Sequence, residues 1–106
     1  MPKFLLEVNY TLDGVKGLKA EGGSARVAAA TELIEGLGGT IESFYFAFGD
    51  PDVFLVVDMP DNASVAAAAL TVTASGGVTA RTVALLTPAD LDAAAKKQPT
   101  YRPPGK

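Results

Sequence analysis

Apolar and polar positions alternate from Phe4 to Tyr10: Phe4, Leu6, Val8 and Tyr10 fall on one side, Leu5, Glu7 and Asn9 on the other. A period of two with aromatic and branched residues predicts a strand. Thr11-Leu12-Asp13-Gly14 ends it and starts a short helical turn carrying Val15 and Leu18. Glu21-Gly22-Gly23-Ser24 breaks that turn, with Ser24 the expected N-cap of the next helix. Val27, Ala30, Ile34 and Leu37 then recur at helical spacing, Leu33 widens the stripe, and Gly36, Gly38 and Gly39 end it.

Ile41 to Asp58 reads as a β-hairpin around a Gly49-Asp50-Pro51-Asp52 turn and carries most of the aromatic residues. Its first strand is expected to place Glu42, Phe44, Phe46 and Phe48 on one face and Ile41, Ser43, Tyr45 and Ala47 on the other. Val53, Leu55, Val57 and Met59 alternate with Asp52, Phe54, Val56 and Asp58 on the second. Asp61 or Asn62 caps an alanine-rich helix over Ala63 to Ala74, with Val65, Ala69 and Val72 in line. Val78 to Leu86 predicts a fourth strand. Thr87-Pro88-Ala89-Asp90 is a helix start with the cap, the proline and the acid in their favoured places.

The order strand–helix–strand–strand–helix–strand predicts an α+β, ferredoxin-like βαββαβ domain over residues 1–97, with a C-terminal helix appended and a proline-rich tail over residues 98–106. Both main helices are expected on one sheet face. The other face would expose Leu5, Tyr45, Phe54 and Val56, too apolar for an open surface. A second copy packed sheet to sheet is the simplest cover, so a homodimer or a higher even-numbered assembly is expected, closing a dimeric α/β barrel.

The chain of 106 residues has neither cysteine nor histidine. That excludes thiolate nucleophiles, disulfides and cysteine zinc sites, and removes the usual base near neutral pH. Nine scattered basic residues against twelve acidic ones do not suggest a nucleic-acid partner. No apolar run has the length of a membrane span or a signal peptide, so a cytoplasmic location and no membrane partner are expected. No cofactor is implied.

Three constellations carry candidate chemistry. On the second sheet face, Glu7 would serve as general base, with Tyr45 or Asn9 as hydrogen-bond donor, Arg81 as anion anchor and Ser43 nearby. The alternative reading of the same residues is a cross-strand Glu7–Arg81 pair that sets register. At the start of the first main helix, free amides at Ser24 with Lys19 and Arg26 would hold a phosphate or carboxylate; the alternative is simply a capped helix. Asp50, Asp52 and Asp58 surround the hairpin turn, but their spacing is not that of a calcium loop, and turn chemistry accounts for them. Metal ligands are therefore not assigned.

The segments Lys16-Gly17-Leu18-Lys19-Ala20-Glu21-Gly22-Gly23-Ser24-Ala25-Arg26, Phe44-Tyr45-Phe46-Ala47-Phe48-Gly49-Asp50-Pro51-Asp52-Val53 and Tyr101-Arg102-Pro103-Pro104-Gly105 resemble the GYD domain family over nearly the whole chain. Gly49 and Asp52 match the ends of its Gly-Tyr-Asp turn motif, and Pro51 stands where the tyrosine is expected. The resemblance implies a small bacterial or archaeal domain, similar to the dimeric α/β-barrel superfamily, and no particular activity. Two function classes follow: a non-catalytic homo-oligomeric module enclosing a small apolar or weakly acidic ligand, or a cofactor-free enzyme of the small oxygenase or isomerase kind with Glu7 as base.

Overall fold

A computed structural model describes residues 1–106. The elements in chain order are β1 (Lys3–Tyr10), α1 (Leu12–Glu21), α2 (Gly23–Gly36), β2 (Thr40–Phe46), β3 (Val53–Asp58), α3 (Asn62–Ala74), β4 (Val78–Leu85) and α4 (Pro88–Lys96). The four strands form one antiparallel sheet in the order β2-β3-β1-β4, an α+β architecture compatible with the ferredoxin-like fold.

The alternation along β1 and β3 sets the two faces. Phe4 and Leu6 from β1 and Val53, Leu55 and Val57 from β3 are buried beneath the helices, with Met59, Ile34 of α2 and Val65 and Ala68 of α3 completing the core. α2 lies over β2 and α3 over β4, while α1 bridges α2 and β1. The opposite face is open. Register places Tyr45, Phe54, Glu7 and Arg81 in one row across it, and Ser43, Val56, Leu5 and Val83 in the next. Tyr45 is 70 % exposed and Val83 38 %. Both are large apolar or aromatic surfaces without a neighbour on that side.

Four local expectations change. A β-bulge between Ile41 and Ser43 inserts Glu42 as an extra residue, so Ile41 pairs with Val57 and packs against the core rather than sharing a face with Ser43 and Tyr45. β2 ends at Phe46, so Phe48 lies beyond the strand, fully exposed, and does not share a strand face with Phe44 and Phe46. The short helical turn after β1 is a ten-residue helix capped by Thr11, whose hydroxyl accepts from the Gly14 amide at 3.2 Å. Ser24 is not a cap: α2 begins at Gly23, and the boundary residue is Gly22 at φ 86°, a backbone region that glycine reaches without strain.

The remaining caps follow the sequence. Asp61 accepts the Ser64 amide at 2.8 Å to start α3. Thr87 and Asp90 form a reciprocal capping box at the start of α4, with Pro88 at its first position. After β4 the chain leaves the body: α4 and the tail to Lys106 are exposed throughout. The Cα radius of gyration is accordingly 17.0 Å with a longest extent of 57 Å, against about 13 Å for a compact chain of this length.

Candidate functional site

Of the residues proposed on the open face, β1 and β4 bring together Glu7, Asn9 and Arg81. Glu7 stands opposite Arg81 in the register. Its Oε2 accepts from Arg81 Nε at 2.6 Å and lies 2.5 Å from Nη2. The Glu7 side chain is 15 % exposed and that of Arg81 76 %. The guanidinium therefore lies over the carboxylate from the solvent side. Asn9 is committed to architecture: its Oδ1 accepts the Asp52 amide at 3.1 Å. A polar hollow of about 240 Å³ lies beside them, lined also by Asp50, Pro51 and Thr79. Tyr45 and Ser43 sit further across the sheet on β2 and do not line it.

The start of α2 does not gather into an anion site. The Phe46 ring lies against Gly23, where a Cβ would come 3.0 Å from its Cε2. Arg26 is engaged at 3.6 Å by the Glu21 carboxylate, and Ser24 is exposed. Around the hairpin turn, Asp52 Oδ2 accepts the Tyr10 amide at 2.9 Å, and the Asp52 amide donates to the Val8 carbonyl. Asp58 faces Lys3, which it holds at 2.8 Å together with Glu42 at 3.1 Å. These two bonds, Asp58 first, raise the Lys3 ammonium above its ordinary 10.5. No three acidic side chains converge on one point.

A larger cavity than the polar hollow lies on the other side of the sheet. Between α2 and α3 a cleft of about 460 Å³ opens over β1 and β3. Its floor is Leu6, Val8, Val53 and Leu55; its walls carry Ala29, Ala30 and Leu33 from α2 and Ala68, Ala69 and Val72 from α3. The cause is visible in the sequence. Ala29 and Ala30 on one helix and Ala68 and Ala69 on the other leave space above the sheet, and Leu33 and Val72 bound it without closing it. A space of this size with an apolar lining falls in the ordinary range of small-ligand pockets.

Tyr10, Glu21 and Arg26 line the cleft toward α1, and Thr71 and Ser75 line it from α3 and its C-terminal cap. Burial pushes the Tyr10 phenol above its usual value of 10.0; Asp52 adds to the rise and the Arg26 charge opposes it. The phenol thus stays a neutral donor and acceptor over the physiological range. By sequence pattern, Tyr10 is one more core position of the first strand, and Ala30 and Ala69 are members of helical stripes. The signal that marks the cleft is the run of small residues on both helices, Ala28-Ala29-Ala30 and Ala66-Ala67-Ala68-Ala69, which provide helix without bulk.

A four-stranded antiparallel sheet with two main helices on one face and an apolar cleft beneath them defines a small α+β domain. The model of the GYD domain matches residues 4–95, and the chain belongs to that family. None of the curated proteins matches it. Among solved structures, the chain is similar to the NE2512 protein of unknown function from Nitrosomonas europaea. The two are 23 % identical, the match covers 95 % of this chain and 98 % of that one, and the TM-score is 0.41. No helix is long and apolar enough to cross a membrane.

Proposed function

We propose that the protein is a homodimeric binding module that encloses a small apolar, weakly acidic ligand in the cleft between α2, α3 and the sheet. The observation that carries this reading is the 460 Å³ apolar space with Tyr10 and Arg26 among its lining residues. An apolar body would fill the alanine-walled part, where each buried methylene contributes about 0.8 kcal/mol. A phenol or carboxylic acid at its end would meet Tyr10 and Arg26. The Glu21–Arg26 contact is long and half-exposed, so a ligand carboxylate displaces Glu21 at a cost of about 1 kcal/mol or less.

The second copy belongs to the open face. Its rows of Tyr45-Phe54 and Val56-Leu5-Val83 need an apolar partner, and the Glu7–Arg81 pair beside them carries both signs. A copy related by a two-fold axis meets apolar rows with apolar rows and each charge with its opposite. Such packing would make the dimeric α/β barrel. Catalysis by Glu7 forms no part of the proposal, because Arg81 holds Oε2 on its solvent side.

Native mass spectrometry of freshly purified protein tests both halves. A dimer mass, with added mass that medium-chain fatty acids or aryl carboxylates displace, is the expected outcome. A monomer at micromolar concentration would overturn the dimer. A panel of such acids that leaves the amide NMR signals of Tyr10, Ala30 and Ala69 unmoved would overturn the ligand site.

A further inference from the structure

We propose that the C-terminal arm, residues 87–106, is a clasp that docks on the body of a second copy of this chain. The inference rests on the dimer reading above and goes beyond it, since the sheet-to-sheet contact does not involve the arm.

Three observations carry it. The first is reach. The arm projects from the end of β4 and accounts for the 57 Å extent of a domain whose other dimensions are 33 and 23 Å. Leu91 and Tyr101 of the arm are 62 % and 72 % exposed, and Leu86 at its root is 69 % exposed. The second is order without packing. α4 has Pro88 and a full capping box, and Pro99, Pro103 and Pro104 stiffen the segment beyond it. Capping of this kind stabilises a short helix that tertiary contacts do not, and proline lowers the entropy lost on docking. The chain thus pre-orders an arm that its own body does not receive.

The third is charge. Residues 1–86 carry ten acidic side chains against five basic ones. Residues 87–106 carry Lys96, Lys97, Arg102 and Lys106 against Asp90 and Asp92, and all four basic side chains fall in the last eleven residues. An acidic body and a basic arm in one chain attract between copies, and each copy offers both halves of the contact, as a closed two-fold assembly requires. The root of the arm also continues the open face: Arg81, Val83 and Leu85 alternate along β4 toward it. The clasp therefore starts at the edge of the face that the second copy covers.

Photo-cross-linking in the full-length chain tests the clasp, with p-benzoylphenylalanine placed at position 91 or at position 101 and the assembly mass measured in parallel. The expected result is a covalent dimer on a denaturing gel. Its cross-linked peptides join the arm to residues 1–86 of the other copy, and the yield falls several-fold in molar salt, where charge attraction is screened. A dimeric protein whose cross-links all fall within one chain, or join arm to arm, would overturn the clasp and leave the dimer standing. A monomeric mass in the unmodified protein would overturn the dimer and the clasp together.

Discussion

The backbone amide of Tyr10 donates to the carboxylate of Asp52 at 2.9 Å. The two residues lie at the end of β1 and at the mouth of the β2–β3 hairpin. Asp52 also gives its own amide to Val8 and Asn9, so one residue fastens the hairpin to the neighbouring strand from both sides. The same contact holds the backbone from which the Tyr10 side chain enters the cleft.

Asp52→Ala removes a charge-assisted bond and leaves the Tyr10 amide without its partner. The expected loss is about 1.5–3 kcal/mol in urea denaturation. Asp52→Asn keeps an acceptor at the same place and is expected to lose about half as much. Equal losses in the two variants would mean that the acceptor itself is not what matters.

Gly14 and Gly17 lie on the same helix and respond in opposite directions. A Cβ on Gly14 would stand 1.8 Å from the Gly77 carbonyl oxygen, because the start of α1 is pressed against the start of β4. Gly14→Ala is expected to cost about 1–3 kcal/mol, as overpacking does. A Cβ on Gly17 meets nothing within 4 Å, and Gly17→Ala is expected to stabilise by up to about 1 kcal/mol through helix propensity. Thermal melts of both variants beside the parent decide the matter.

Burial raises the Tyr10 phenol, so the folded state keeps its proton at a pH where the unfolded chain has begun to lose it. The stability this contributes is complete below pH 10.0 and is lost as the pH rises through the higher folded value. Tyrosinate absorbance followed through an alkaline titration is expected to show a step above 10.0 that disappears in Tyr10→Phe. A vanished step at or below 10.0 would mean that the ring is not shielded as described.

Ala69→Leu places a larger side chain in the wall of the cleft while leaving the sheet untouched. Carboxylate binding is expected to weaken at least about tenfold, equivalent to 1.4 kcal/mol. Folding stability is expected to shift by less than about 1.5 kcal/mol, since the added methylenes enter open space. Titration calorimetry and urea denaturation on one preparation separate the two effects.

The sheet is legible in the sequence because its signal is period two, and burial on one face enforces it: Phe4, Leu6, Val53, Leu55 and Val57 all lie where alternation puts them. The bulge at Glu42 is not legible, because one extra residue leaves the local composition unchanged while turning Ile41 over. The face of Arg81 depends on register, which pairing with Glu7 supplies and the sequence of β4 does not. For the candidate sites, residue types signal charge and hydrogen-bonding capacity, and they point to Glu7, Ser24 and Arg26. The cleft instead arises where small side chains leave space, and the alanine runs that mark it read in the sequence first as helix formers rather than as a site.

Alanine walls make the bore of the cleft adjustable. Exchanging Ala30 or Ala69 for valine or leucine shortens or narrows the chamber by a few carbons, while the strands beneath and the caps at the helix ends keep their places. On the proposed reading, domains built on this frame would be free to diverge in what they hold without first reinventing how they fold. Ligand choice would then be written in the girth of a few helix positions and would drift as quickly as those positions do.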